Sequence, residues 1–242
     1  MLLRRWKPLI AASPLTGLLM PPGPTDRTDS RFVLLARQRS GSTWIMDLLN
    51  SHPQLIGFSE LFHSDEFGRP SIGGQREIYL WNSYRAAHGW PTGRLTRTKL
   101  YFQYLDQEVF CARPNIDATG LTLMYNQAVS SVALPLYLKL RGVRIIHLIR
   151  RNCLDAILSA ETARVRGIAH ATAGATVVGL KIPLEAHSLP YRLREATGEI
   201  EAARSYCRSV GTPACEVFYE DVVNDIENLA PALDLLGIDS DT

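Results

Sequence analysis

The stretch that decides the fold is Phe32-Val33-Leu34-Leu35-Ala36-Arg37-Gln38-Arg39-Ser40-Gly41-Ser42-Thr43-Trp44. Residues 32–36 form an apolar run that predicts a buried strand, and the apolar spacing over 44–49 predicts a helix. The turn between them carries arginines, two serines and a single glycine. A buried strand that passes through such a turn into a helix directs backbone N–H groups, hydroxyls and the positive end of the helix at one spot. The sequence therefore predicts a site for a phosphate-like anion.

Two common phosphate-binding loops do not fit this turn. A Walker A loop needs two glycines separated by four residues and followed by Lys and Ser or Thr, whereas Gly41 lies between Ser40 and Ser42. A Rossmann loop needs three spaced glycines that let a pyrophosphate approach the backbone. ATP hydrolysis is therefore disfavoured, and an ordinary capped turn between a strand and a helix stays open as the alternative to an anion site.

A second segment of the same kind lies downstream. Residues 143–149 predict another buried strand, which ends in Arg150-Arg151-Asn152 before an amphipathic helix that contains Ser159. In a doubly wound sheet ligands bind at the carboxyl ends of the strands, so both segments are expected to face one cleft. The alternative is that Arg151 forms a solvent-exposed i,i+4 ion pair with Asp155.

Together the two segments resemble the sulfotransferases that use 3′-phosphoadenosine-5′-phosphosulfate (PAPS). The first is similar to the family's 5′-phosphosulfate loop, a strand followed by a basic residue, Ser-Gly-Ser/Thr-Thr and an aromatic residue. The second matches the 3′-phosphate motif Arg-Asn-x-x-Asp-x-x-x-Ser from Arg151 to Ser159. Within the family the likeness is closest to bacterial carbohydrate sulfotransferases of the nodulation-factor type, through residues 37–44 and 47–53. Residues 217–222 are similar to the family's last strand.

The resemblance implies an α/β fold with three layers and a central, mostly parallel sheet like that of P-loop proteins. Residues 1–30 are expected to form an N-terminal arm or linker, and residues 31–242 a single sulfotransferase domain. A variable insertion at about 64–114 is expected to form the acceptor-binding part of this domain. A chain of this length can bury a full core in one such domain.

Other segments predict the remaining elements of the sheet and its cover. Apolar runs over 54–58, 176–182 and 215–219 predict strands. Residues 221–236 predict a terminal helix, and Pro231 is expected to kink or break it.

The resemblance also implies how the donor is held. Arg39 takes the position of the basic residue that contacts the bridging oxygen, where a guanidinium stabilises developing charge. Arg151 and Ser159 would hold the 3′-phosphate, which distinguishes PAPS from ATP. The 5′-phosphosulfate would be held by backbone N–H groups and hydroxyls of Ser40, Gly41, Ser42 and Thr43. Trp44 would pack behind it or near the adenine.

Glu60 is the predicted catalytic base. In the bacterial carbohydrate branch a glutamate at the end of the second strand takes this role, and Ser59-Glu60-Leu61-Phe62 resembles that element. Apolar neighbours partly desolvate the carboxylate, which strengthens it as a base. A surface glutamate without a catalytic role and His63 as the base stay open as alternatives. His147 lies in an apolar run and is expected to be a hydrogen-bonded core residue.

Two departures from the family pattern bear on activity. Thr122 lies where relatives often carry a lysine, so either Lys181 compensates or the site is weakened. The sequence also lacks the Arg-Lys-Gly loop with which cytosolic members grip the 3′-phosphate, and Arg164 and Arg166 are candidates for the missing cations. The alternative to an enzyme is therefore a non-catalytic relative that binds 3′-phosphoadenosine nucleotides.

Composition and charge narrow the classes of partner and location. A formal net charge of +2 over 242 residues, without a basic stripe interleaved with aromatics, argues against nucleic-acid binding. The four cysteines have neither C-x-x-C nor zinc-ligand spacing, so the sequence predicts no metal site and a reducing, cytoplasmic location. The apolar run 8–20 is broken by Pro14 and is shorter than a membrane span. A flexible arm, an arm in peripheral contact with a membrane, and a signal segment or anchor stay open.

The sequence thus predicts transfer of the sulfuryl group from PAPS, the donor co-substrate, to a hydroxyl of a carbohydrate, glycolipid or similar acceptor. No metal is expected because arginines can neutralise the transferred charge. A kinase of related fold is disfavoured by the missing Walker lysine spacing. Neither the identity of the acceptor nor an oligomeric state can be read from the sequence.

Overall fold

The computed structural model describes residues 29–62, 71–72, 76–166 and 184–239. Its centre is a parallel sheet of five strands in the order β2-β5-β1-β6-β7. These strands are β1 Ser30–Ala36, β2 Leu55–Glu60, β5 Ala118–Met124, β6 Arg144–Ile149 and β7 Ala214–Phe218. Two short segments, β3 Ser71–Ile72 and β4 Arg76–Glu77, pair as a separate antiparallel ribbon. The predicted α/β fold with a mostly parallel sheet is confirmed.

Helices cover the sheet and connect its strands. Their bounds are α1 Ser42–Asn50, α2 Trp81–His88, α3 Arg94–Tyr104, α4 Tyr125–Ala128, α5 Ala133–Leu140, α6 Cys153–Arg166, α7 Leu189–Val210, α8 Tyr219–Asn224 and α9 Ala230–Leu236. A π-helical turn, Leu105–Val109, continues α3, and a 3-10 turn, Ile226–Leu229, precedes α9.

The alternation of side chains along β1 shows why the fold has three layers. Phe32, Leu34 and Ala36 belong to a core cluster that includes residues of α1 and α9. Val33 and Leu35 belong to a second cluster, which includes residues of α3, α5 and α7. Successive side chains of a strand point to opposite faces of the sheet. An uninterrupted apolar run therefore indicates a strand that is covered on both faces, as the central β1 is.

The strands predicted from apolar runs at 54–58, 143–149 and 215–219 are confirmed as β2, β6 and β7, each with slightly shifted ends. The run at 176–182 lies outside the described residues, as do residues 1–28 of the expected N-terminal arm. The division of the chain into an arm, one domain and an insertion stays a prediction. Within the described part of that insertion, the helical elements are α2, α3 and the π-helical turn that continues α3.

The predicted terminal helix is interrupted, but not where the sequence indicated. The break lies at Asp225, whose backbone is extended between α8 and the 3-10 turn and whose carboxylate accepts a hydrogen bond from the Glu227 N–H. Pro231 lies in the first turn of α9 instead. Because a proline there gives up an N–H that has no partner within the helix, it starts α9 rather than breaking a longer helix. The predicted role of Pro231 was therefore wrong.

No helix in the described ranges is both long enough and apolar enough to cross a membrane.

Candidate active site

The two predicted anion-binding segments begin side by side. Strands β1 and β6 are parallel neighbours, and Ala36 at the end of β1 pairs in register with Leu148, one residue before the end of β6. The turn after β1 and the turn after β6 therefore leave the same edge of the sheet. This is the carboxyl edge, where ligands bind in open α/β sheets.

The turn after β1 is held in an unusual backbone conformation. Arg39 has φ 66° and Gly41 has φ 86°, both in the left-handed region. That region is costly for an arginine and cheap for a glycine. A side chain at position 41 would also overlap the ring of Tyr219, which packs against the glycine. The turn thus needs glycine at 41 for two independent reasons, its backbone angle and its contact with Tyr219.

The hydroxyl groups of the turn have different surroundings. Ser40 is buried, and its Oγ donates a hydrogen bond of 2.7 Å to the Arg37 carbonyl, so it closes the turn. Ser42 is also buried, at the first residue of α1. Thr43 is exposed, and Trp44 keeps 39% of its surface exposed. In the described structure no side chain caps α1, which leaves its first N–H groups available to an anion.

A hydrogen bond connects the turn with the helix after β6. The Arg39 Nε donates to the Ser159 Oγ over 3.0 Å, across 120 positions of sequence. Arg39 comes from the predicted 5′-phosphosulfate loop and Ser159 from the predicted 3′-phosphate motif. The structure therefore brings residues of both motifs into one place.

Arg150 also belongs to this site, although no sequence motif assigned it a role. Its Nη1 donates to the Arg39 carbonyl over 3.3 Å, and its guanidinium lies 4.8 Å from the centre of the Tyr219 ring. Its Nε is buried without a hydrogen-bond partner among the described residues. Arg150 also forms the ion pair with Asp155, at 3.4 Å. The alternative pairing of Arg151 with Asp155 is therefore wrong.

Arg151 pairs instead with the segment that follows β7. Its two terminal nitrogens donate to both carboxylate oxygens of Asp221, over 2.6 and 2.8 Å. The hydrogen bonds from Arg151 lower the pKa of the Asp221 carboxyl below its ordinary value. The Glu220 carboxylate accepts hydrogen bonds from the backbone N–H groups of Arg151 and Asn152. Two acidic residues after β7 thus fix the first residues of the 3′-phosphate motif.

Glu60 ends β2, the edge strand on the other side of the sheet. The Gln127 Nε2 donates to the Glu60 Oε2 over 3.1 Å, and the Gln127 Oε1 accepts from the Met124 N–H over 3.0 Å. Gln127 therefore ties the carboxylate to the start of α4. Thr122, buried in β5, pairs in register with Glu60. The residue that replaces the usual lysine is thus a direct strand neighbour of the predicted base.

An open cavity of about 410 Å³ lies beyond this end of β2. Its lining includes Phe62, two residues after Glu60, and Ser130, three residues after Gln127. The remaining lining combines aromatic rings, hydroxyls and two arginines, namely Trp81, Trp90, Tyr101, Thr98, Ser131, Arg94 and Arg97, with Val132 and Ala133. The cavity is within the size range of small-molecule sites.

One solved structure with a similar arrangement of sheet and helices is a sulfotransferase. The crystal structure of a sulfotransferase from Alicyclobacillus acidocaldarius matches with a TM-score of 0.50 and 13% sequence identity, over 88% of this chain and 83% of that chain. This chain shares the α/β fold of that protein. At this identity the likeness is one of fold alone. A crystal structure of mouse sulfotransferase SULT7A1 complexed with PAP matches with a TM-score of 0.45 and 16% identity, over 88% of this chain and 60% of that chain.

No protein-family model and no curated protein matches the sequence. The nodulation-factor subgroup accordingly stays a prediction.

The predicted donor site offers groups that can bind an anion. One edge of the sheet carries an uncapped helix N-terminus, exposed or half-buried hydroxyls and three arginine side chains. The arginines are Arg39, Arg150 and Arg151. Such groups bind phosphate and sulfate oxygens as charge-assisted donors. In the described ranges no group of three or more His, Cys, Asp or Glu could hold a metal ion.

The other residues that the sequence singled out have partners of their own or lie outside the described residues. His147 is buried, as predicted, and its Nε2 lies 2.7 Å from the Tyr125 hydroxyl. Arg164 pairs with Glu161 at 2.8 Å on the exposed side of α6, which does not bring it to Arg151. The alternative base His63, the compensating Lys181 and the side chain of Arg166 lie outside the described residues.

Proposed function

We propose that this chain is a PAPS-dependent sulfotransferase that transfers the sulfuryl group to a hydroxyl of a carbohydrate or glycolipid. The observation that carries this proposal is the hydrogen bond between Arg39 and Ser159, because it joins the two segments that would bind the two ends of the donor. The sulfotransferase fold agrees with it. A nucleotide with both a 5′-phosphosulfate and a 3′-phosphate is the ligand that needs both segments.

The donor is a substrate, and each of its charged groups would be bound by a different set of residues. The first turn of α1, with Gly41, Ser42 and Thr43, would receive the 5′-phosphosulfate through N–H groups and hydroxyls. Arg151 and Ser159 would receive the 3′-phosphate. Trp44 is partly exposed, and its ring centre lies 5.7 Å from that of Tyr219. The exposed part of the Trp44 ring would contact the adenine.

The chemistry is an in-line displacement at sulfur. The acceptor oxygen forms a bond to sulfur while the bond from sulfur to the bridging phosphate oxygen breaks, and 3′-phosphoadenosine-5′-phosphate (PAP) leaves with the bonding electrons. Glu60 accepts the proton of the acceptor hydroxyl. Arg39 stabilises the charge that builds on the bridging oxygen but stays protonated throughout.

The second candidate function is a protein that binds 3′-phosphoadenosine nucleotides without turnover. Thr122 favours it, because a neutral residue stands beside Glu60 where relatives often carry a lysine. An enzyme that lacks one cation would stabilise the leaving group less and react more slowly. Both candidates predict nucleotide binding, so only a turnover measurement distinguishes them.

The test is release of PAP and transfer of label when the chain is incubated with donor labelled in the sulfuryl group and a panel of neutral and acidic saccharides. The proposal predicts labelled saccharide in the wild type. We expect Glu60→Gln to lose about 100-fold or more of the rate, the usual contribution of a general base. The matched control is Glu227→Gln, at an exposed glutamate in the 3-10 turn after α8. Nucleotide binding without labelled product from any acceptor would favour the non-catalytic candidate.

A cytoplasmic location and contact of the N-terminal arm with a membrane surface belong to the same proposal. Fractionation of cells that express the full chain and a variant without residues 1–28 tests both. We expect the full chain in the cytoplasmic fraction, with any share at the membrane lost on removal of the arm.

A further inference from the structure

The cavity beyond the end of β2 is lined in part by aromatic residues. The rings of Phe62 and Tyr101 are stacked at 5.2 Å, and Trp81 meets Tyr101 edge-on at 4.7 Å. The lining also includes two residues with hydroxyl groups, Ser130 and Ser131. A lining that combines aromatic rings and hydroxyl groups suits a sugar ring, which has an apolar face and a polar rim.

The exposed lining residues Trp90, Arg94 and Arg97 mark the mouth of this cavity, and a third arginine, Arg85, lies beside Trp90. The guanidinium groups of Arg85 and Arg97 each lie 5.0 Å from the centre of the Trp90 ring. Arg94 and Arg97 line the cavity and are three positions apart on α3, so they share a face of the helix. The Arg97 Nε donates to the Pro91 carbonyl over 2.7 Å, which fixes the stem of that side chain.

None of these three arginines forms an ion pair with a carboxylate in the described parts of the chain. Eight other arginines do have acidic partners, namely Arg31, Arg37, Arg141, Arg150, Arg151, Arg164, Arg192 and Arg204. The cavity mouth is thus a local concentration of positive charge in a chain whose net charge is only +2. Like charges this close repel one another, and a bound anion would relieve the repulsion.

The position of Arg94 and Arg97 in their helix adds to this charge. Both lie in the first turn of α3, which contains no acidic residue. The N-terminus of a helix carries partial positive charge, so acidic residues are stabilising there and basic residues are not. The placement is unfavourable for α3 by itself and favourable for an anion at the cavity mouth.

We propose that the cavity binds an acidic saccharide as acceptor, a sugar that carries a carboxylate or sulfate group. This rests on the proposed function for the chemistry and deepens it by naming the acceptor class. The aromatic residues Phe62, Trp81 and Tyr101 contact the ring, and the anionic group lies against Arg94 and Arg97. The hydroxyl to be modified then lies toward Glu60, at the β2 end of the cavity.

The test measures saccharide binding directly and without nucleotide. A glucuronate-containing trisaccharide and its carboxyl-reduced counterpart differ only in a carboxylate that becomes a primary alcohol, so the pair isolates the charge. Ligand-observed NMR titration of the chain with each gives the two dissociation constants. We expect the acidic trisaccharide to bind about tenfold tighter, as befits one or two charge-assisted hydrogen bonds, with a preference that shrinks as salt is raised.

Matched variants place the preference in the cavity. The double variant Arg94→Gln/Arg97→Gln should bind both trisaccharides equally, whereas Lys99→Gln, which removes a charge from the same helix outside the cavity lining, should keep the preference. Circular dichroism melting checks that the variants are folded. Equal affinity of the wild type for the two trisaccharides, failure to bind either, or a preference that survives in the double variant would overturn the inference. If the acidic trisaccharide binds but PAP does not, the cavity assignment stands and the proposed sulfotransfer falls.

Discussion

Arg39 and Ser159 are joined by a hydrogen bond of 3.0 Å although 120 positions separate them in the sequence. The contact forms because β1 and β6 are parallel neighbours, so that the turn after β1 and the helix after β6 leave the same edge of the sheet. A ligand held by Arg39 at one end and by Ser159 at the other would span the two motifs.

Loss of the Ser159 hydroxyl should weaken binding of the 3′-phosphate. We expect Ser159→Ala to reduce the affinity for PAP about tenfold, the cost of one hydrogen bond to a charged group, and to change the affinity for ADP by less than about twofold. Calorimetric titration measures both. Ser205→Ala, which removes an exposed hydroxyl of α7, is the matched control. Equal losses for the two nucleotides would mean that Ser159 does not contact the 3′-phosphate.

If Arg151 binds the 3′-phosphate as proposed, the carboxylate of Asp221 should compete with that phosphate. Both terminal nitrogens of Arg151 donate to Asp221, so a 3′-phosphate must replace these bonds or share them. We therefore expect Asp221→Asn to bind PAP several-fold more tightly, because the amide keeps the shape and removes the charge that repels the phosphate. Weaker binding in this variant would contradict competition and would show that Asp221 orients Arg151 for the ligand.

A methyl group at position 41 should damage the turn more than the same change at another glycine with similar angles. Gly41→Ala meets both a φ of 86° and the Tyr219 ring, whereas Gly142→Ala meets a φ of 61° and open space. We expect Gly142→Ala to cost about 1 kcal/mol of unfolding free energy, and Gly41→Ala to cost more and to abolish nucleotide binding. Urea unfolding and calorimetry measure the two effects. Similar losses of stability, with binding intact in Gly41→Ala, would exclude the predicted clash.

His147 makes the stability of the fold depend on pH. Burial lowers its pKa to about 4, against the opposing effect of Glu216, whereas an unfolded histidine has a pKa of about 6.5. Between these values the unfolded chain binds more protons, so the histidine's contribution is complete above about pH 6.5 and is lost as the pH falls toward 4. The loss is on the order of 2 to 3 kcal/mol.

The variant His147→Gln isolates this contribution, because it removes the titrating group and keeps hydrogen-bonding capacity. Its unfolding free energy, measured by urea titration between pH 4 and 7, should fall less steeply with acidification than that of the wild type. His187→Gln, at a histidine whose side chain is 84% exposed, should match the wild-type slope. Parallel slopes for all three proteins would show that His147 does not titrate as its burial requires.

The sequence predicted those features that depend on local pattern. The apolar run of β1 and the turn with Gly41 both follow from the spacing of residue types within a few positions, as does the helix that begins at Ser42. That the segment after Val143–Ile149 faces the same cleft as the first turn was inferred from a general rule on parallel sheets rather than from the residues themselves. The structure confirms the common edge, since β1 and β6 pair in parallel and end together. Side chains of both strands pack into the core on the two faces of the sheet.

Pairings between distant side chains could not be predicted. Arg150 and Arg151 are adjacent, and their ion-pair partners depend on the position of the segment after β7. That segment brings Asp221 to Arg151 and leaves Asp155 to Arg150. The same holds for Gln127, which holds Glu60 across 67 positions. The error at Pro231 had a different origin. A proline early in a helix and a proline that ends one look alike until the start of the helix is known.

The most direct test of the central claim is calorimetric titration of the full chain with PAP and, separately, with ADP, in the wild type and in Arg151→Ala. Arg208→Ala, at an exposed arginine whose guanidinium bonds only Ser205 in the described structure, is the matched control. The account predicts that the wild type and the control prefer PAP to ADP by about tenfold or more, and that Arg151→Ala loses this preference. Equal affinity for PAP and ADP in the wild type would contradict it, because the segment from Arg151 to Ser159 would then not be a 3′-phosphate site.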